Sequence, residues 1–185
     1  MGYTIITHFD SNGYYKLHSI LSIIADETVC RVPYGRVDDK YRYQVDTLPY
    51  HLTVSSSKLP LFRLLSVLNG FAFKPFDITI NGLDIMPGKN HSQVLYFSIA
   101  PSAEMDLLQT RMYQVIGNDK YLPGNHTNHI TICISKDSGK IQRIKSLLSK
   151  GFTTFTLTVM SIGLYEIWPG KLLSEFHFAE QSELL

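Results

Sequence analysis

The chain has 185 residues, 44% of them hydrophobic and 18% charged, a balance that suits a packed core and excludes a disordered chain. The formal net charge of +1 excludes a general affinity for nucleic acid, so any such partner must be held at a local patch. Cys30 and Cys133 are too few for a disulfide scaffold and show no metal-ligand spacing. In chain order, "YTIITHFD" (3–10) reads as a strand and "GYYKLHSILSIIAD" (13–26) as a helix. Residues 30–50 interleave Arg31, Arg36, Lys40 and Arg42 with Tyr34, Tyr41, Tyr43 and Tyr50. Such a stretch suits either a solvated strand-rich excursion or the grip on a nucleotide or RNA end, with cations on phosphate and rings on bases. "HLTVSSSK" (51–58) reads as a strand, and Leu61, Leu64, Leu65 and Leu68 recur at helical spacing up to Gly70. "FDITI" (76–80) is a strand, and "GLDIMPGK" (82–89) turns at Pro-Gly into the strand "QVLYFSIA" (93–100).

The second half then repeats the first. "SAEMDLLQTRMYQVI" (102–116) is a helix, and "GNDKYLPGNHTN" (117–128) is the loop before "HITICISK" (129–136). Ile141, Ile144, Leu147 and Leu148 mark a helix that ends at Gly151, followed by the strand "FTLTV" (155–159). "GLYEIWPGK" (163–171) matches "GLDIMPGK" with one insertion, and "SEFHFAE" (174–180) closes the chain. Each half therefore reads strand-helix-strand-helix-strand. The expected fold is α+β and bilobal: pseudo-two-fold duplicated strand-helix-strand units with helices on the outside. A single domain, 1–185, comprises lobes of approximately 1–96 and 93–185 whose closing strands exchange.

His51 and Thr53 share one face of a strand, as do His129 and Thr131, while Leu52, Val54, Ile130 and Ile132 face the core. Two-fold symmetry sets the two His-Thr pairs face to face across a groove. Two imidazoles suit a reaction that removes one proton and delivers another, and two hydroxyls suit the paired oxygens of a phosphodiester. Nothing in that chemistry requires a metal or another cofactor, and a binding module that holds a nucleotide without turning it over is the rival reading. RNA ligation, the reverse reaction, could use the same site, but water opposes it.

"HLTV" and "HITI", each on a strand before a helix, together with the closing "VMSIGLYEIWPGKLLSEFHF", resemble the two-histidine (2H) phosphoesterases. That family includes the bacterial RNA 2',3'-cyclic phosphodiesterases historically called 2'-5' RNA ligases. The resemblance covers most of the chain. It implies mainly antiparallel sheets around a central cleft, and metal-free cleavage of 2',3'-cyclic or related phosphodiesters. It also implies His51 and His129 as base and acid, Thr53 and Thr131 on the phosphate, and a nucleotide or RNA terminus as partner. The chain departs from the family in carrying Asn128, where many members have Pro, and in a longer polar stretch before the first motif.

Tyr50, Tyr43, Arg42 and Tyr121 are the candidate substrate rim. His126, three residues before His129, is expected to be a solvated loop residue rather than a metal ligand, since no third ligand follows at a suitable spacing. His8 is expected on the rim or satisfied in the core, His18 and His91 on the surface, and His177 facing the groove or water. Trp168 is expected to pack at the last turn, Ser57 and Ser135 to cap the following helices, and Cys133 to face the groove. Residues 1–9 lack the basic start and apolar run of a signal peptide, and no apolar run spans a membrane. A cytoplasmic protein without a stable protein partner is the expectation.

Overall fold

Alternation of apolar residues with Thr and Ser builds strands, and runs of Leu and Ile at helical spacing build helices, in the same sequence twice. The computed structural model describes residues 2–24, 48–167 and 170–179. The first half is β1 (Tyr3–Phe9), α1 (Ser11–Leu21), β2 (Thr53–Ser57), α2 (Leu61–Asn69) and β3 (Phe76–Pro87). The second is β4 (Gln93–Ile99), α3 (Ala103–Ile116), β5 (His129–Ser135), α4 (Ser138–Ser149) and β6 (Phe155–Glu166), with β7 (Lys171–His177) added at the end. Side-chain caps start three of the helices: Asp10, Ser102 and Asp137 accept from the backbone N–H groups of Gly13, Met105 and Lys140. Gly117, at φ 78°, closes α3 in the left-handed conformation that favours glycine.

All the strands join one antiparallel sheet in the order β2-β1-β6-β3-β4-β5, with β7 on the other side of β6. Exchanging each strand for its repeat partner (β1 with β4, β2 with β5, β3 with β6) reverses that order into itself. The pseudo-two-fold axis passes between β3 and β6, where Ile78 pairs with Leu157, flanked by Phe76 opposite Val159 and Ile80 opposite Phe155. The sequence pattern suggests a short strand before each Pro-Gly. The structure instead runs β3 and β6 continuously for 12 residues, so that each serves both halves of the sheet. The end of β3 pairs with β4, and the end of β6 with β1.

The helices cover one face. Leu52, Val54, Leu64, Leu68, Ile130, Ile132, Ile141, Ile144 and Leu148 are buried in one hydrophobic cluster beneath them. Each such side chain contributes about 1.5–3 kcal/mol. The opposite face carries the polar members of the alternation. Among the described residues no helix is long and apolar enough to cross a membrane.

Both motif strands carry the same irregularity, which the sequence does not announce. Ile6 pairs with Thr53 but Ile5 with Ser55, and Tyr96 pairs with Thr131 but Leu95 with Cys133. A β-bulge therefore follows each His-x-Thr, at Val54 and at Ile132, and it flips the next side chain inward. Cys133, expected in the groove, is buried opposite Leu95, and Ser55 is buried in the equivalent place. The serines expected as helix caps do less: Ser57 Oγ accepts from the Leu59 N–H and Ser135 Oγ from that of Asp137. They close the turns before their helices; α2 begins at Pro60 without a side-chain cap.

Candidate active site

His51 and His129 stand at corresponding points of the two halves, and their local geometry is the same. The Nδ1 of His51 lies 2.7 Å from the carbonyl oxygen of Pro49, and that of His129 lies 2.7 Å from the carbonyl oxygen of Thr127. A carbonyl only accepts, so each Nδ1 carries a hydrogen and donates it. Each neutral ring therefore holds its lone pair at Nε2. Both rings are half-buried, and Thr53 and Thr131 are half-buried two positions on, the first paired with Ile6 and the second with Tyr96. The buried Leu52, Val54, Ile130 and Ile132 turn the His and Thr side chains to the polar face, away from the helices. Thr7 locks the first motif by accepting the Leu52 N–H on its hydroxyl at 3.0 Å, while its own N–H donates to the Leu52 carbonyl.

The surroundings of the two histidines differ. In the second half the His129 ring lies 5.3 Å from the Tyr96 ring and 5.5 Å from that of His126, which meets Tyr121 edge-on at 4.9 Å. Burial pushes His129 below the ordinary histidine value, and its hydrogen bond to Thr127 opposes the shift only in part. His126 is pushed down to about 4, first by burial, then by His129 and Lys120. Burial and the neighbouring Asp84 raise the Tyr96 phenol. Asp84 is held below the usual carboxylate range mainly by the N–H of Ile85, with Lys145 at 3.4 Å assisting.

In the first half a buried polar chain crosses the sheet. His8 Nδ1 donates to Glu175 on β7 at 2.7 Å, and its Nε2 accepts from the Tyr165 hydroxyl at 2.9 Å. Ser161 also donates to Glu175. Tyr165 is pushed up to about 12, chiefly by burial, so its hydroxyl stays a donor. Burial raises Glu175, but the hydrogen bonds from His8 and Ser161 outweigh it and leave the carboxyl below its usual range. Tyr165 also packs with Ile6 and Leu48 in a small apolar cluster on this face.

Two expectations change, and others resolve as expected. Tyr121 is buried, not on the rim, because it forms the floor under His126. His126 is not a solvated loop residue, because the turn at Pro123-Gly124 folds it against His129. Tyr50 is half-buried and packs edge-on to exposed His18 at 5.8 Å. His8 is satisfied, and His177 is exposed, 4.0 Å from Glu175. Arg42, Tyr43 and Trp168 lie outside the described residues. Glu175, Tyr165 and Ser161 escaped sequence reasoning, although strand alternation puts Ser161, Gly163 and Tyr165 on one side of "SIGLY" and Glu175 with His177 on one side of "SEFHF"; pairing of Ser161 with His177 and of Gly163 with Glu175 makes these one face. Among the described residues no group of three or more His, Cys, Asp or Glu could hold a metal ion.

The family model of the 2'-5' RNA ligase superfamily matches residues 34–168, and the chain belongs to that superfamily of 2H phosphoesterases. No curated protein matches the sequence. Among solved structures the fold is similar to that of TT0787 from Thermus thermophilus, with 14% identity, a TM-score of 0.58, and 98% of this chain and 100% of that one covered. It is also similar to Escherichia coli LigT complexed with NADP+, with 10% identity, a TM-score of 0.56, and 96% of this chain and 97% of that one covered. LigT complexed with 3'-AMP is similar at 10% identity and a TM-score of 0.54, with 96% of this chain and 98% of that one covered. Membership marks the chain as an enzyme acting on phosphodiester bonds.

Proposed function

We propose that the chain hydrolyses 2',3'-cyclic phosphates or related nucleotide and RNA-terminal phosphodiesters, with His51 and His129 as the acid-base pair and Thr53 and Thr131 on the phosphate. The supporting observation is the matched pinning of both imidazoles through Nδ1, which makes Nε2 the nitrogen at which each neutral ring takes up a proton. His129, whose protonated form is disfavoured by burial, is the base. It takes the proton of the attacking water at Nε2 as the oxygen–phosphorus bond forms. His51, protonated, delivers its Nε2 hydrogen to the ribose oxygen as the bond from phosphorus to that oxygen breaks. The two threonine hydroxyls donate to the non-bridging oxygens, where negative charge builds. The similar LigT fold has been solved with NADP+, 3'-AMP and ATP, which favours a nucleotide as the ligand here.

The test is hydrolysis of the four nucleoside 2',3'-cyclic monophosphates in EDTA by wild type, His51→Ala and His129→Ala. Turnover is expected to survive the chelator and to fall by about 10²–10⁴ in each variant. Full activity in either variant would overturn the assignment.

A further inference from the structure

The two halves of the site are alike at the motif and at the carbonyl two residues before it, but not one position further back. Three residues before His51 stands Leu48, buried against Ile6 and Tyr165. Three residues before His129 stands His126, half-exposed and beside the His129 ring at 5.5 Å. The placement of His126 is built. Leu122-Pro123-Gly124-Asn125 forms a turn with Gly124 at φ 87° and the Asn125 N–H on the Leu122 carbonyl at 3.0 Å. Proline second and a left-handed glycine third are the residues that a type II turn requires. Asn125 Nδ2 ties the turn back to the Asp119 carbonyl at 3.0 Å, and the buried Tyr121 ring holds the imidazole from below. Yet among the described residues neither ring nitrogen of His126 has a hydrogen-bond partner. A fixed, half-buried imidazole with an unused donor and an unused acceptor is costly unless something else supplies the bonds.

We propose that His126 is a third histidine of the site, contacting substrate and hydrogen-bonding its nucleoside. The inference rests on the proposed function. The nucleoside is favoured over the phosphate because burial and the neighbouring His129 and Lys120 keep this imidazole neutral, and a neutral ring adds little to the binding of an anion. Its unused donor and acceptor suit a base edge or a sugar oxygen. The apolar Leu48 at the equivalent place offers no such bond, so the two halves hold the substrate unequally.

The experiment compares wild type with His126→Leu, which copies the other half, and with His126→Gln, which keeps hydrogen-bonding capacity. KM and kcat are measured on the four nucleoside 2',3'-cyclic monophosphates, and binding of adenosine 3'-monophosphate and of inorganic phosphate by calorimetry. The Leu variant is expected to raise KM and the nucleotide Kd about tenfold, with a smaller fall in kcat and no change for inorganic phosphate. The Gln variant is expected to recover part of the loss. A rise in KM that differs among the four bases identifies a base contact, and an equal rise a sugar contact. Unchanged nucleotide binding in the Leu variant, or equal weakening of nucleotide and inorganic phosphate, overturns the inference. A fall in kcat at constant KM overturns it too, since His126 would then act only through His129. If wild type binds neither nucleotide nor phosphate, the proposed function fails first and the inference with it.

Discussion

Gly163 is the point at which the buried polar chain of the first half is most sensitive. A methyl group there would lie 2.6 Å from Cε2 of Tyr165 and 2.7 Å from Cε1 and Nε2 of His8, against an ordinary contact of 3.4–4 Å. Neither ring is free to withdraw, because His8 bonds Glu175 at 2.7 Å and Tyr165 at 2.9 Å. Gly163→Ala must therefore overpack the sheet face, at about 1–3 kcal/mol, and break one of these hydrogen bonds with its partner left buried, at about 1–3 kcal/mol. Against this, alanine in a strand gains about 0.5–1 kcal/mol over glycine. The net expectation is about 2–4 kcal/mol, or roughly 5–15 °C in Tm for a chain of this size. Urea unfolding at pH 7 with an unchanged m-value measures it. Placing the same substitution in a His8→Ala background should cost less than about 1 kcal/mol, because Tyr165, no longer bonded to His8, can then shift into the space that His8 leaves. Gly82→Ala in the other half is the control: its methyl group would meet only the Ser98 hydroxyl, which can rotate away. A Gly163→Ala protein within about 0.5 kcal/mol of wild type would refute the packing argument.

Acid should weaken the fold in two steps. His126, at about 4 folded against 6.5 unfolded, binds more protons unfolded, so its contribution is complete above pH 6.5 and is lost as pH falls toward 4. After discounting for its partial exposure this amounts to about 1–2 kcal/mol, and His126→Leu should flatten that part of a stability-versus-pH curve. Glu175, lowered in the fold, holds stability that is present above about pH 4.3 and disappears as pH falls through its folded value; Glu175→Gln should remove this lower step. The pH dependence of kcat/KM should be bell-shaped, with the acidic limb, set by His129, displaced below 6.5, and a profile with one limb would refute the acid-base pair. Asp137→Ala should cost about 1 kcal/mol in urea unfolding through loss of the α4 cap, and Ser135→Ala less than half of that.

The repeat and its strand-helix order were legible because period-two and period-3.6 patterns are local, and so was the shared face of His51 with Thr53 and of His129 with Thr131. The groove-facing assignment of Cys133 failed because a bulge is set by pairing with β4, and neither "TVSS" nor "TICI" signals the extra residue. The His8 chain was invisible for a similar reason. Its partner Glu175 is 167 positions away, and only the docking of β7 on β6 brings the two together. Tyr121 and His126 were misjudged because loop composition reports polarity, not whether a Pro-Gly turn folds the segment back on itself.

A duplicated site poses a problem that duplication alone cannot solve. Proton abstraction and proton delivery are opposite tasks, and two halves of identical surroundings would perform either indifferently and accept a substrate in two orientations. The motifs here retain the symmetry: Nδ1 to the carbonyl two residues back, a bulge after each threonine, and a palindromic strand order. What surrounds them breaks it. Three residues before His51 stands Leu48, buried with Ile6 and Tyr165; beside His129 lie the neutral His126, Tyr96 and its partner Asp84. Burial lowers the proton affinity of His129, and in the proposed mechanism that environment, not the repeated His-x-Thr, makes it the base.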